Sequence, residues 1–159
     1  MTQSTWTPIA ARLKNRLETV SGVGKVHDHL DLATTGEELI AMGAITVDGE
    51  QRIRVWMISL EQGPARWAEQ GGGTDWTRRA VIEGFLQYEA AGAAEKKAIA
   101  LAESIIRVLN VDLAAKPSLN GTVLSGGPAA LEACEPRAFG PLFCHYIRIS
   151  IPLFTVESP

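Results

Sequence analysis

An alternation of side chains near the C-terminus constrains the fold more than any other feature of the sequence. Between Phe143 and Phe154 (FCHYIRISIPLF) the odd-numbered positions are apolar except for His145, whereas the even-numbered positions mix polar and apolar residues. Successive side chains of a β-strand point to opposite faces, so this pattern predicts a strand with one face on a hydrophobic core. Such a strand is typical of an antiparallel sheet with one covered face.

Apolar residues at helical spacing predict two principal helices. The first has Thr7 as its N-cap and Pro8 at its first position, and it ends at Ser21–Gly22. The second runs from about Ala93 to about Leu113, because the apolar stripe fades there and a proline follows at position 117.

Strand-forming residues predict the rest of the sheet. Gln51–Leu60 and Trp76–Glu89 are the clearest strands, and shorter candidates cover residues 24–30, 121–125 and 130–137. Residues 36–42 predict a short helical turn. This order of elements favours an α+β fold in one domain, residues 1–159, with a mainly antiparallel sheet and the two principal helices packed on one face.

The connection between the two clearest strands is unusually long. Residues 61–75 (EQGPARWAEQGGGTD) contain Pro64 and three consecutive glycines, and they predict a flexible loop at the end of a long hairpin arm. Tryptophan and arginine are enriched at the energetic centres of protein interfaces, although either tryptophan here could instead fold back onto the sheet. The candidate interface residues are Arg66, Trp67, Trp76, Arg78 and Arg79.

Composition and charge exclude several classes of protein. The formal charge of −3 argues against a dedicated nucleic-acid binder, which usually carries a strongly basic face. No apolar run approaches the ~18 residues that span a bilayer, and residues 1–30 show no secretory signal. Two cysteines do not form a disulfide framework. We therefore expect a protein without a membrane anchor, made in a reducing cytoplasm.

The neighbouring Cys144 and His145 raise the question of a thiol enzyme. On a strand their side chains face opposite ways, whereas a nucleophilic thiolate needs its base within about 2.6–3.2 Å. Cys134 could meet His145 across strands, but no sequence signal selects that pairing. Free cysteine most often behaves as a small buried hydrophobe. We predict no catalytic residue and no cofactor, with a small thiol- or metal-dependent enzyme as an alternative.

Two other motifs contain residue types that are typical of binding sites. His27 and His29 would share one face of a strand, and His145 could supply a third zinc ligand, but no Cys-x-x-Cys or His-Glu-x-x-His pattern accompanies them. The sequence therefore predicts no metal site, and the histidines are interpreted as polar groups at a strand edge. SGVGKVH, residues 21–27, lacks the first glycine and the final Ser or Thr of a phosphate-binding loop.

Three stretches carry a resemblance to a known family. They are WTPIAARLKNRLETVSGVGKVHDH (residues 6–29), RIRVWMISL (residues 52–60) and EPRAFGPLFCHYIRISIPL (residues 135–153). In pattern and element order the chain resembles the tail terminator, or tail-completion, proteins of long-tailed bacteriophages. The similarity runs over nearly the whole length and includes no catalytic motif.

The resemblance implies a structural virion protein. Such proteins form a ring, commonly of six copies, at the head-proximal end of the tail tube, where they end polymerisation of the major tail tube protein. The ring offers a docking surface to the head-tail connector, and DNA passes through its lumen without specific binding. The family is non-enzymatic and uses no cofactor. A neighbouring neck part, a stopper or head-completion protein, is the alternative within this class.

Overall fold

A computed structural model describes residues 5–31, 33–67, 73–88 and 93–157. Three helices are present in these ranges: α1 (Trp6–Glu18), α2 (Gly36–Gly43) and α3 (Ala94–Ala114). The strands are β1 (Lys25–His27), β2 (Ala44–Val47), β3 (Glu50–Trp67), β4 (Thr74–Leu86), β5 (Ser125–Gly126), β6 (Ala130–Phe139) and β7 (Leu142–Glu157). They form a mainly antiparallel, curled sheet, which confirms the α+β fold.

Three long strands form the centre of the sheet. β4 lies between β3 and β7 and is antiparallel to both. On the far side of β3 lie β1, which is parallel to it, and β2, which is antiparallel. On the far side of β7 lie β5 and β6, both antiparallel. Because β1 and β2 lie along the same edge of β3, and β5 and β6 lie along the same edge of β7, the sheet is only about five strands wide along most of its length.

One face of the sheet is covered by α1 and α3, as the sequence predicts. From β7, the odd-numbered Ile147, Ile149 and Ile151 are fully buried there, together with Ile9 of α1 and Ile105 of α3. Burying a branched aliphatic side chain contributes roughly 1.5–3 kcal/mol relative to exposure. This apolar layer is the main core of the protein.

The opposite face carries a second, smaller core under α2. Leu39 of α2 packs with Ile53, Met57, Phe85 and Tyr146. A capping box fixes the start of this helix, because the Thr35 hydroxyl accepts a hydrogen bond from the Glu38 N–H while the Glu38 carboxylate accepts one from the Thr35 N–H. The sequence predicts a helical turn here but not the face that it covers.

A buried tryptophan fixes the spacing between the sheet and α1. Trp56 lies opposite Gly84 in the β3–β4 register, and a Cβ atom on Gly84 would come within 2.6 Å of the indole ring. The indole N–H donates a hydrogen bond to the Val23 carbonyl, 2.9 Å away, in the segment that follows α1. Only glycine at position 84 therefore leaves room for the ring.

The two principal helices are joined by an ion pair. The guanidinium of Arg12 on α1 donates two hydrogen bonds, of 2.8 and 2.7 Å, to the carboxylate of Asp112 on α3. Asp112 is only 7% exposed, so a bidentate partner offsets the cost of removing its charge from water. This contact accounts for an aspartate on the otherwise apolar stripe of α3.

The prediction of a flexible loop at residues 61–75 is wrong for most of these residues. β3 continues to Trp67 and β4 begins at Thr74, so only the residues between them connect the strands. The glycine and proline signals mark an irregularity in the register between Gln62 and Ala65 instead. A Cβ atom on Gly63 would lie 1.9 Å from the Thr77 carbonyl oxygen, so glycine is required by close approach of two backbones. Residues 68–72 lie outside the described residues.

Several predicted boundaries also differ from the structure. The N-cap of α1 is Thr5, and Thr7 lies inside the helix. The strand predicted at 24–30 shortens to β1, and the one predicted at 121–125 is reduced to β5 after a 3₁₀ turn at Ser118–Gly121. β2 was not predicted, although Asp48 and Gly49, both with positive φ, form the two-residue turn that joins it to β3.

Replacing Ile149 with aspartate should prevent folding. The side chain is fully buried between the sheet and the helices, and an unpaired charge there costs several kcal/mol or more. Circular dichroism and urea unfolding check the result, with Phe143→Asp as the matched control because Phe143 is on the same strand but 56% exposed. A folded Ile149→Asp protein of ordinary stability would show that the faces of β7 are assigned the wrong way round.

Candidate assembly surface

The Cys144–His145 pair does not form a dyad in this fold. Cys144 packs in the smaller core under α2, whereas His145 points to the other side of β7. Burial raises the pKa of the Cys144 thiol to about 11, so almost no thiolate exists near neutral pH. Pro136, not Cys134, lies opposite His145 in the β6–β7 register. Burial also raises the pKa of Cys134.

The candidate interface residues occupy different environments along the arm. Arg78 is 7% exposed and stacks on the ring of Trp76, with its guanidinium carbon 4.8 Å from the ring centroid. Arg79 is exposed and lies on the opposite face of β4. The backbone of Arg66 and Trp67 lies in β3, opposite Asp75 and Thr74; the structure describes only the backbone of these two residues. Their role at an interface stays a prediction.

A network of charged side chains crosses the sheet on the face opposite α1 and α3. Arg148 of β7 lies at its centre and contacts three carboxylates on three other strands. The distances from its nitrogens are 2.5 Å to Glu61 on β3, 3.3 Å to Glu83 on β4 and 2.7 Å to Glu132 on β6. Arg79 adds contacts of 3.8 Å to Glu61 and 3.5 Å to Glu132. The network ties four strands together through their side chains.

The arginines of this face are engaged by acidic groups. Hydrogen bonds from Ser150 and then from Arg148 hold the pKa of Glu132 below its usual value, so this carboxylate is ionised near neutral pH. Arg137 pairs with Glu135 at 2.9 Å and covers the ring of Tyr146. Guanidinium groups that already contact carboxylates attract phosphates weakly. We therefore expect this face to bind nucleic acid weakly.

Exposed apolar side chains lie at the two ends of β7. We call Pro141 and Phe143 the turn surface, because they lie at the tight turn between β6 and β7; Phe143 is 56% exposed. We call Leu124 and Val156, which are 64% and 46% exposed, the arm surface. The Leu124 N–H donates a hydrogen bond to the carbonyl of Phe154, which places this residue beside the far end of β7. The 16 residues of β7 span roughly 50 Å, so the two surfaces are far apart.

Two concavities flank the turn surface. One, of about 410 Å³, is lined in part by Leu86, Tyr88, Pro141, Phe143 and His145. The other, of about 670 Å³, lies between the start of α2 and the β6–β7 turn and is lined in part by Ile40, Phe139 and Leu142. The exposed side chain of Phe143 lies beside recesses that side chains of a second protein can fill.

Sequence reasoning missed both of these surfaces. Phe143 was assigned to the apolar face of β7, but the strand reaches the edge of the helices there and its ring is left exposed. The glycine and proline of the turn at 140–141 were a signal that the strand begins at this point. Leu124 and Val156 gave no signal, because their exposure depends on which strands lie beside them.

Comparison with protein-family models found no matching family, and comparison with curated proteins found no similar sequence. Among the helices described, none is both long and apolar enough to cross a bilayer.

Native Cys144 should react with a thiol reagent only when the protein unfolds. Its side chain is 1% exposed and its pKa is raised, and both effects suppress attack by the thiolate. We expect a Cys134→Ser variant, which retains Cys144, to label at least about a hundredfold more slowly at neutral pH than in denaturant. The matched Cys144→Ser variant, in which only the partly exposed Cys134 remains, should label faster in the native state. Rapid native labelling of Cys144 would revive the thiol-enzyme alternative.

Proposed function

We propose that this protein is a structural virion component that forms a ring, of about six copies, at the head-proximal end of a phage tail tube. In that position it ends polymerisation of the tube protein and presents a docking surface to the head-tail connector. The observation that carries the proposal is the pair of unlike apolar surfaces at opposite ends of β7. A ring needs a heterologous contact, in which one patch of each subunit meets a different patch of the next.

The proposed contact joins the turn surface of one subunit to the arm surface of its neighbour. Phe143 supplies a protruding aromatic ring of the kind that dominates interface energetics, and Leu124 and Val156 supply apolar area to receive it. An interface of standard size buries roughly 800 Å² on each subunit, which is within reach of a chain with 8821 Å² of accessible surface. The two contacts on each subunit leave most of its surface for other virion proteins.

The charged face suits the remaining roles of such a ring. Its arginines are paired with carboxylates and the chain carries a formal charge of −3, so a lumen lined by this face would let DNA slide. Trp76 and Arg79 lie on β4 within the arm, where the tube protein or the connector would meet them. Trp76 and Arg79 are therefore the first residues to mutate in docking assays.

The heterologous contact predicts a specific result when two variants are mixed. Phe143→Asp and Leu124→Asp should each leave the protein monomeric, because each puts a charge into one side of every contact. An equimolar mixture retains one intact turn surface and one intact arm surface, so it should form heterodimers but no ring. Mass photometry of the parent, each variant and the mixture checks this, with Val111→Asp, another exposed apolar position, as the control.

The alternatives give different results in that experiment. An isologous contact would let one variant dimerise with itself while the mixture gains nothing. A parent chain that stays monomeric at every concentration, both alone and with tail tubes present, would contradict the ring. Circular dichroism spectra matching the parent establish that each variant is folded.

Phage lacking this protein should make overlong tails. Without a terminating ring the tube protein continues to add subunits, so tail length should increase and become heterogeneous. Electron micrographs of lysates from a knockout phage measure the length distribution, and expression of the parent gene should restore it. Tails of normal length that fail to join heads would instead indicate a neck or head-completion protein.

A further inference from the structure

The structure brings together two histidines and an aspartate that no other function accounts for. One ligand atom from each of His27, His29 and Asp31 lies within 4.8 Å of the others. His27 ends β1, and the other two residues follow it in the segment that leaves the sheet. Asp31 is not among the ligands that the sequence indicates, and His145, which the sequence offers as a third ligand, is not part of this group.

Hydrogen bonds orient both imidazoles, because one nitrogen of His27 lies beside a carbonyl and both nitrogens of His29 lie beside carboxylates. His27 Nε2 lies 3.1 Å from the Met42 carbonyl oxygen, which can only accept, so Nε2 carries the proton and Nδ1 has a lone pair. His29 Nδ1 lies 3.0 Å from an Asp28 carboxylate oxygen and donates to it. Metal-binding histidines almost always donate their second ring N–H to a carbonyl or carboxylate in this way.

The second nitrogen of His29 lies beside the third candidate ligand. His29 Nε2 lies 3.0 Å from an Asp31 carboxylate oxygen, and the rings of His27 and His29 are 5.6 Å apart between centroids. Nitrogen and oxygen ligands about 2.0–2.2 Å from a tetrahedral zinc lie roughly 3–4 Å from each other, so small side-chain rotations suffice. His29 and Asp31 have side chains 59% and 46% exposed, which leaves the site open to solvent ions.

We propose that His27, His29 and Asp31 form a binding site for a divalent transition metal, with Zn²⁺ as the ion that fits two imidazoles and a carboxylate best. Three protein ligands leave one position for water. Asp28 acts as a positioning residue through His29. The metal would join β1, an edge strand of three residues, to the segment that follows it and would stabilise this edge of the sheet.

The alternative is an ion pair without metal. In that case a protonated His29 donates from both nitrogens, to Asp28 and to Asp31, and the hydrogen bond to Asp28 raises its pKa. The hydrogen bond from His29, and after it the charge of Lys14, lowers the pKa of the Asp28 carboxyl. An imidazolium has no lone pair for a metal, so the two states predict opposite results when zinc is added.

Calorimetric titration with zinc chloride distinguishes the metal site from the ion pair. We choose about pH 8 because protons compete weakly with zinc for the imidazole nitrogens there. The protein should carry no affinity tag and should be treated first with a chelator. We expect one saturable site with a dissociation constant below about 0.1 mM. His29→Gln should weaken binding at least about tenfold, and Asp28→Asn should weaken it by about 10–100-fold. His145→Gln is the matched control and should bind like the parent.

Two further readouts separate a site from non-specific binding. Zinc at about a hundredfold excess over its dissociation constant should raise the melting temperature of the parent by roughly 5–10 °C, and should not raise that of His29→Gln. Co²⁺ in place of zinc should give visible absorption bands of tetrahedral coordination, which His29→Gln should lose. No saturable binding to the parent, or equal binding by His29→Gln and the parent, overturns the proposal.

Discussion

The register between β4 and β7 is the constraint on which the rest of the structure depends. It places Ile82 opposite Ile149 in the main core and Glu83 opposite Arg148 on the other face. A slip of one residue would exchange the faces, so that Arg148 would enter the core and Ile149 would reach solvent. The cost of burying the guanidinium excludes that alternative, and the contacts of Arg148 with carboxylates on three strands favour the register observed.

The same register positions the surfaces proposed for assembly. Because β7 is held by β4 along almost its whole length, the turn surface and the arm surface are the two ends of one rigid element. Most of the segment 61–75, which the sequence predicts to be a flexible loop, lies instead in the paired strands β3 and β4. In the proposed ring, recognition would therefore depend on preformed shape, and little conformational entropy would be lost when copies associate.

The sequence predicts α3 and the faces of β7 well, because long runs of strict periodicity leave few alternatives. Prediction from the sequence fails where the same residue types are compatible with two different structures. Gly63 and the neighbouring proline mark turns in most chains, and only the approach of the Thr77 backbone shows that a strand continues through them. The contact of Asp31 with His29 depends on how the chain leaves β1, and the exposure of Leu124 depends on its neighbours. Neither has a periodic signature.

The edges of the sheet limit how copies would meet in the proposed ring. β6 pairs only with β7 among the described residues, but an irregular register at Leu131/Ala133, Pro136 and several charged side chains make its outer edge unsuitable for strand addition. In the proposed ring, copies would associate through side-chain surfaces at the ends of β7 and not through strand edges. The angle between neighbouring subunits would then depend on the twist of the sheet between the two surfaces, and a ring would close only if that angle divides a full turn evenly.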